Sequence, residues 1–213
     1  MGDGPLQQKY KVKKQRDGRD HGDHSNSQFA ALGLRACHDA GIILPKEVIQ
    51  KAAQAWRDLQ CGVPGKGEGL KAEPRGWNYG PKGNPPYGSM TAGGVAALCI
   101  LDHLQDVNWR KDDAVNAGLN WLRDSFSVTE NPGCHGQHLY YYLYALERAC
   151  TLFMIDKLGK VDWYAEGARQ LLATQLGDGS WEKNPVDTCH AVLFLCRATR
   201  PLRDPKDLDR LMK

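Results

Sequence analysis

The side chains with the makings of chemistry in this chain fall into three sets. The first is aromatic: Phe29, Tyr140, Tyr141, Tyr142, Tyr144 and Phe194 lie in apolar segments, with His138 and His190 among them. Rings at such positions suit the wall of a site for a hydrocarbon, and equally suit a packed core. The second set is a single run of adjacent carboxylates, Asp112-Asp113. It opens a polar helix, so its first use is to favour the positive end of that helix's dipole. The third is sulfur. Seven cysteines (Cys37, Cys61, Cys99, Cys134, Cys150, Cys189 and Cys196) include no C-x-x-C pair, and four sit inside apolar helical stretches. An odd number in such places argues for buried, reduced thiols and a cytoplasmic setting rather than a disulfide framework. An export signal on a missing N-terminal segment would reverse the compartment.

Composition limits what these groups can mean. With 213 residues, 41% hydrophobic and 25% charged, the chain has the apolar mass of one ordinary globular domain. Lys plus Arg is 28 against 25 for Asp plus Glu, and the excess gathers between Lys9 and Arg19. A short basic stretch off any helical face reads as a solvated tail, so residues 1–24 are expected to form a flexible basic arm and nucleic acid is not an expected partner. No apolar run approaches the ~18 residues of a membrane span.

The elements that must position the candidate groups repeat along the chain. Segments 25–34, 91–100, 138–146 and 187–195 are each apolar nearly all round, as in buried helices. Amphipathic stretches follow the first three, at about 46–59, 112–126 and 163–176, and a fourth barely begins at 205–212. Leu32, Leu98, Leu146 and Leu195 lie 66, 48 and 49 residues apart, so the unit is a helical hairpin with one long Gly/Pro-rich insertion at about 61–88. Alternation of apolar and amphipathic helices predicts an all-α fold in two layers, inner helices covered by outer ones; a plain solenoid is the second choice. Gly41 with Pro45 should end the first hairpin's inner helix, and Asp187 stands where an N-cap would serve the fourth.

The segment Gln175-Leu176-Gly177-Asp178-Gly179-Ser180-Trp181 resembles the QW repeat of squalene and hopene cyclases. A stretched version runs from Trp56 and Gln60 to Gly76-Trp77, while the second hairpin offers Trp121 without a Gln. The resemblance covers residues 25–200 and implies an (α/α) toroid of the terpenoid cyclase and protein prenyltransferase class. Gln60, Trp77, Gln175 and Trp181 are expected to act as clamps, the amide bonding backbone at a helix end and the indole tying outer layer to inner. Such toroids close with about five to seven hairpins. The chain supplies about three and a half, which implies an incomplete toroid, open to self-association through its edges.

Function follows less directly, since one fold hosts many activities. Class II cyclases protonate an alkene with an Asp-x-Asp-Asp acid, which this sequence lacks. The resemblance therefore implies binding of an apolar, isoprenoid-like small molecule at the axis, with Phe29, Tyr140, Tyr141, Tyr144, His138 and His190 as candidate contacts. A noncatalytic scaffold for a protein partner is the alternative. Resemblance to prenyltransferases implies a further one, zinc held by Asp187, Cys189 and His138, with His190, His135 or Cys134 nearby. Their order departs from that family, whose His comes one repeat later, and an N-cap, a core thiol and an ordinary histidine explain the same residues; no cofactor is the primary expectation. Gly133-Cys134-His135-Gly136-Gln137 resembles the thioester motif of complement-like proteins, but Gly136 stands where Glu belongs, and a tight Gly-flanked helix entry accounts for it.

Overall fold

A computed structural model describes residues 22–62, 72–80 and 84–202. The described residues form seven α-helices and a short 3-10 turn, Trp109–Lys111: α1 His24–Asp39, α2 Lys46–Asp58, α3 Gly88–His103, α4 Asp113–Asp124, α5 Leu139–Phe153, α6 Trp163–Thr174 and α7 Pro185–Leu195. The expected all-α class and the hairpin alternation both hold. Helices α1, α3, α5 and α7 pack side by side in that order, while α2 and α4 lie on α3, and α6 on α7.

Local chemistry explains where the helices start. The side chains of Asp23, Asp112, Asp162 and Asn184 accept the backbone N–H groups of Asn26, Val115, Ala165 and Val186, satisfying first-turn donors of α1, α4, α6 and α7. One expectation changes here. Asn184, with Pro185 at the first helical position, opens α7, so Asp187 lies inside the first turn and not at the cap. Asp23 caps α1 and His24 is its first residue; residues 1–21, most of the expected N-terminal arm, lie outside the described ones, as does the expected partner at 205–212. The α1–α2 turn forms as expected, with Gly41 at φ +80°, a left-handed conformation that suits glycine.

Burial separates the inner helices into two kinds. Every residue of α3 from Gly88 to Asp102 is buried, and α5 is buried over most of its length. In contrast α1 buries only His24, Gln28 and Ala31, and α7 only Ala191 and Phe194; α1 is the most polar of the four in sequence, but α7 is as apolar as α3. Position in the row is the reason, because α1 and α7 are its ends. The segment just beyond α7 reaches α1: Arg35 of α1 donates from both terminal nitrogens to the carbonyls of Arg200 and Pro201, at 2.6 and 2.8 Å.

The described part of the 61–88 insertion contributes to the core instead of decorating the surface. Trp77 is fully buried, and its ring sits where a Cβ on Gly94 would come within 2.5 Å and one on Gly118 within 2.9 Å. These two glycines admit the indole between α3 and α4. The hydrogen bonds around Trp77 recur around Trp181. Each indole N–H donates to the carbonyl four residues before a glutamine, Trp77 to Trp56 (2.7 Å) and Trp181 to Leu171 (2.9 Å). Both backbone N–H groups donate to a threonine hydroxyl on the next inner helix, Thr91 and Thr188, each at 3.1 Å. The residue after each glutamine, Cys61 or Leu176, donates to the carbonyl preceding the tryptophan. The two units thus share one geometry despite a loop that is far longer in the first. The glutamines differ: buried Gln60 donates to Ala114 O at 2.9 Å and ties α2 to α4, whereas Gln175 bonds Gly179 O within its own turn.

Candidate functional site

The candidate aromatic residues separate into a cluster and others that stand apart from it. Tyr141, Tyr144 and Arg148 fall three and four residues apart on α5, so they share one face. That face looks toward α1 and α7. Gln28 of α1 donates from Nε2 to the Tyr141 hydroxyl and accepts from Arg148 Nη2 at 2.5 Å. A Cβ on Gly93 of α3 would meet the Gln28 amide at 2.9 Å, so glycine there gives the amide its place. Phe29 lies over the guanidinium at 5.4 Å and Tyr144 at 4.2 Å. From α7, His190 stacks on Tyr144 with ring centroids 5.9 Å apart and tilts against Tyr141 at 5.4 Å.

Arg148 is the unusual member. It is 1% exposed, and its Nε and Nη1 have no hydrogen-bond partner. Among the described residues no carboxylate forms an ion pair with it; its neighbour in sequence, Glu147, turns instead to Thr151 and Thr199. A buried cation without a counterion is costly, and the two aromatic faces offset part of that cost, about 2 kcal/mol for a desolvated cation–π contact. His190 adds a third unsatisfied atom, Nδ1. Burial, and then the Arg148 charge, hold the His190 pKa below its ordinary value, so its ring is neutral near pH 7. Burial likewise raises the Tyr141 phenol. The cluster therefore offers donors to an anion and aromatic faces to an apolar body.

His138 and Tyr140 stand apart from this cluster. His138 is exposed at the start of α5 with φ +61°, and buried Tyr140 reaches Glu182 at 3.4 Å. Phe194 is core, wedged between Trp163 and Tyr164 with Gly167 beneath it. The chain matches no protein-family model, no curated protein and no solved structure.

The other candidate chemistries are not assembled. Among the described residues no group of three or more His, Cys, Asp or Glu side chains is placed to hold a metal ion, so Asp187, Cys189 and His138 do not form a zinc site. Cys134 and Gln137 belong to a tight turn closed by the Gln137 N–H on the Cys134 carbonyl at 3.0 Å, with His135 and Gly136 both at positive φ. Burial pushes the Cys134 thiol up, away from the thiolate that nucleophilic chemistry requires. Asp112 is structural: it caps α4 and, with fully buried Asp102, grips Arg57 of α2 at 2.6 and 2.5 Å. No helix among the described residues is long and apolar enough to cross a membrane.

Phe29, Tyr141, Tyr144 and His190 were legible as candidates from residue type and placement. Gln28 and Arg148 were not singled out, though a signal existed. Each is a polar side chain inside a run otherwise suited to a core, where an uncompensated charge calls for an explanation.

Proposed function

We propose that this all-α chain is an incomplete toroid of helical hairpins, of the terpenoid cyclase class, that binds an apolar small molecule carrying one acidic group at the inner face where α1, α5 and α7 meet. The observation that carries this reading is Arg148, buried against the Phe29 and Tyr144 rings with Nε and Nη1 unpaired and, among the described residues, no carboxylate in an ion pair with it. The aromatic faces take the hydrocarbon, and the guanidinium takes the anion. The toroid is supported by the side-by-side order of the inner helices, the contacts of α2 and α4 with α3 and of α6 with α7, and the reach of Arg35 to the backbone beyond α7. The role is binding; the sequence has no Asp-x-Asp-Asp acid to drive cyclisation.

Calorimetric titration with geranate and with its methyl ester tests the proposal. Geranate is expected to bind saturably, the ester at least tenfold more weakly, and Arg148→Met should abolish the difference. Equal affinity for acid and ester, or geranate binding that survives Arg148→Met, would overturn it. A protein-binding scaffold is the second reading, favoured by apolar side chains left exposed on the last described pair of helices: Leu172, Val186 and Val192.

A further inference from the structure

A second site, independent of the Arg148 cluster, lies between α1 and α2. The two helices face each other through small side chains, Ser27, Ala30 and Ala31 on α1 and Ala52 and Ala55 on α2, which leave a cleft of about 190 Å³ with Leu34, Leu59 and Trp56 on its walls and Leu101 of α3 beneath. Its lining is almost wholly apolar. A cavity of roughly 150 Å³ with such walls stays dry and admits benzene, so the volume suits one six-membered ring with a substituent.

Two polar side chains, His24 and Ser27, interrupt this lining. His24 is 5% exposed and stacks on Trp56 with ring centroids 4.5 Å apart. Its Nδ1 lies 2.5 Å from the Asn78 backbone carbonyl. A carbonyl oxygen only accepts, so the shared proton must sit on Nδ1, and in the neutral ring Nε2 is left as a bare acceptor. Among the described residues nothing satisfies it: Nε2 is buried and without a partner there. Ser27, the other polar side chain of the lining, is already engaged, its hydroxyl donating to Asp23 O at 2.8 Å. Burial also lowers the His24 pKa, which keeps the acceptor unprotonated at neutral pH.

We infer that this cleft binds a small, uncharged ring compound bearing one hydroxyl group, the ring lying among the alanines and against Trp56 and the hydroxyl donating its proton to His24 Nε2. An acid is a poor fit, because the cleft holds no cation. A pure hydrocarbon fills the volume but leaves Nε2 as unsatisfied as before. The hydroxyl is what completes the site.

The test uses the full chain and a matched pair of probes, phenol and toluene, followed by the ring-nitrogen shifts of His24 and by backbone shifts of α1 and α2 in NMR titrations. Phenol should bind saturably, move the His24 Nε2 resonance, and exceed toluene in affinity at least tenfold. Ala55→Leu, which keeps helix propensity and fills the cleft, should remove binding of both probes. His24→Phe should retain toluene and lose the preference for phenol. Equal affinities for the two probes, an unmoved Nε2 resonance, or phenol binding undiminished by Ala55→Leu would each overturn the inference. If His24→Phe fails to fold, the probe ratio and Ala55→Leu still decide it. None of these outcomes bears on geranate binding at Arg148, which shares no residue with the cleft.

Discussion

At the scale of single residues, buried polar side chains carry both the stability and the proposed chemistry. Arg148 illustrates how the two can be separated. A structural arginine would be missed on removal, but a buried cation with no counterion is a candidate for harmless replacement. Arg148→Met is expected to leave the melting temperature unchanged or raise stability by about 1 kcal/mol, while ending geranate binding. A loss above ~2 kcal/mol in chemical denaturation would make the residue structural instead. Asp102 gives a pH signature. Burial, only partly countered by the Arg57 charge, pushes its carboxyl up to about 6. The folded state then holds this proton more tightly than the unfolded chain, whose Asp titrates near ~3.9. The stability it contributes is full below pH ~4 and is lost as pH rises through about 6. Asp102→Asn should flatten that stretch of the stability profile, measured by urea midpoints at several pH values.

At the scale of elements, the tryptophan junctions hold outer helices to inner ones, and their shared hydrogen bonds make them comparable. Trp181 is 2% exposed, with its indole bonded to Leu171 O and its backbone to Thr188. Trp181→Ala should cost roughly 3 to 5 kcal/mol and Trp181→Phe about 1 kcal/mol, the second being the lost N–H bond with most of the packing kept. Trp77 is more tightly held, against Gly94 and Gly118 as well. Gly94→Ala should therefore destabilise markedly, since the added Cβ meets the fused rings and not a flexible side-chain end; a neutral change in thermal melting would show that the indole can slide. The first junction and the last were recognisable from Gln and Trp alone. The buried insertion at Trp77 was not, because glycine and proline composition announces a loop without saying whether the loop packs.

At the scale of the whole molecule, the question is how the ends of the inner row meet. Arg35 spans to the backbone beyond α7 at one end, yet Phe29 on α1, Leu172 on α6, and Val186 and Val192 on α7 remain exposed. Apolar side chains at the open ends of a helical row favour association. Light scattering at micromolar concentration should show concentration-dependent dimers, and Leu172→Glu with Val186→Glu should return the protein to monomers at little cost in stability. A wild-type monomer across the whole concentration range would mean that the row is closed well enough alone.

What the sequence determined by itself was periodicity: which stretches are helical, which are apolar enough to lie inside, and where hairpins begin and end, all set by interactions within a few residues of chain. It also supplied the rings around the inner face. It did not distinguish α7 from α3, equally apolar, because burial depends on how many neighbours an element finds as well as on its own composition. Nor did it select the polar atoms that matter. Arg148 is a candidate because no carboxylate among the described residues forms an ion pair with it, and His24 because Asn78, fifty-four residues away, takes one ring nitrogen and leaves the other without a partner among them. A missing partner is a property of three-dimensional neighbourhoods, so only the tertiary structure could decide it.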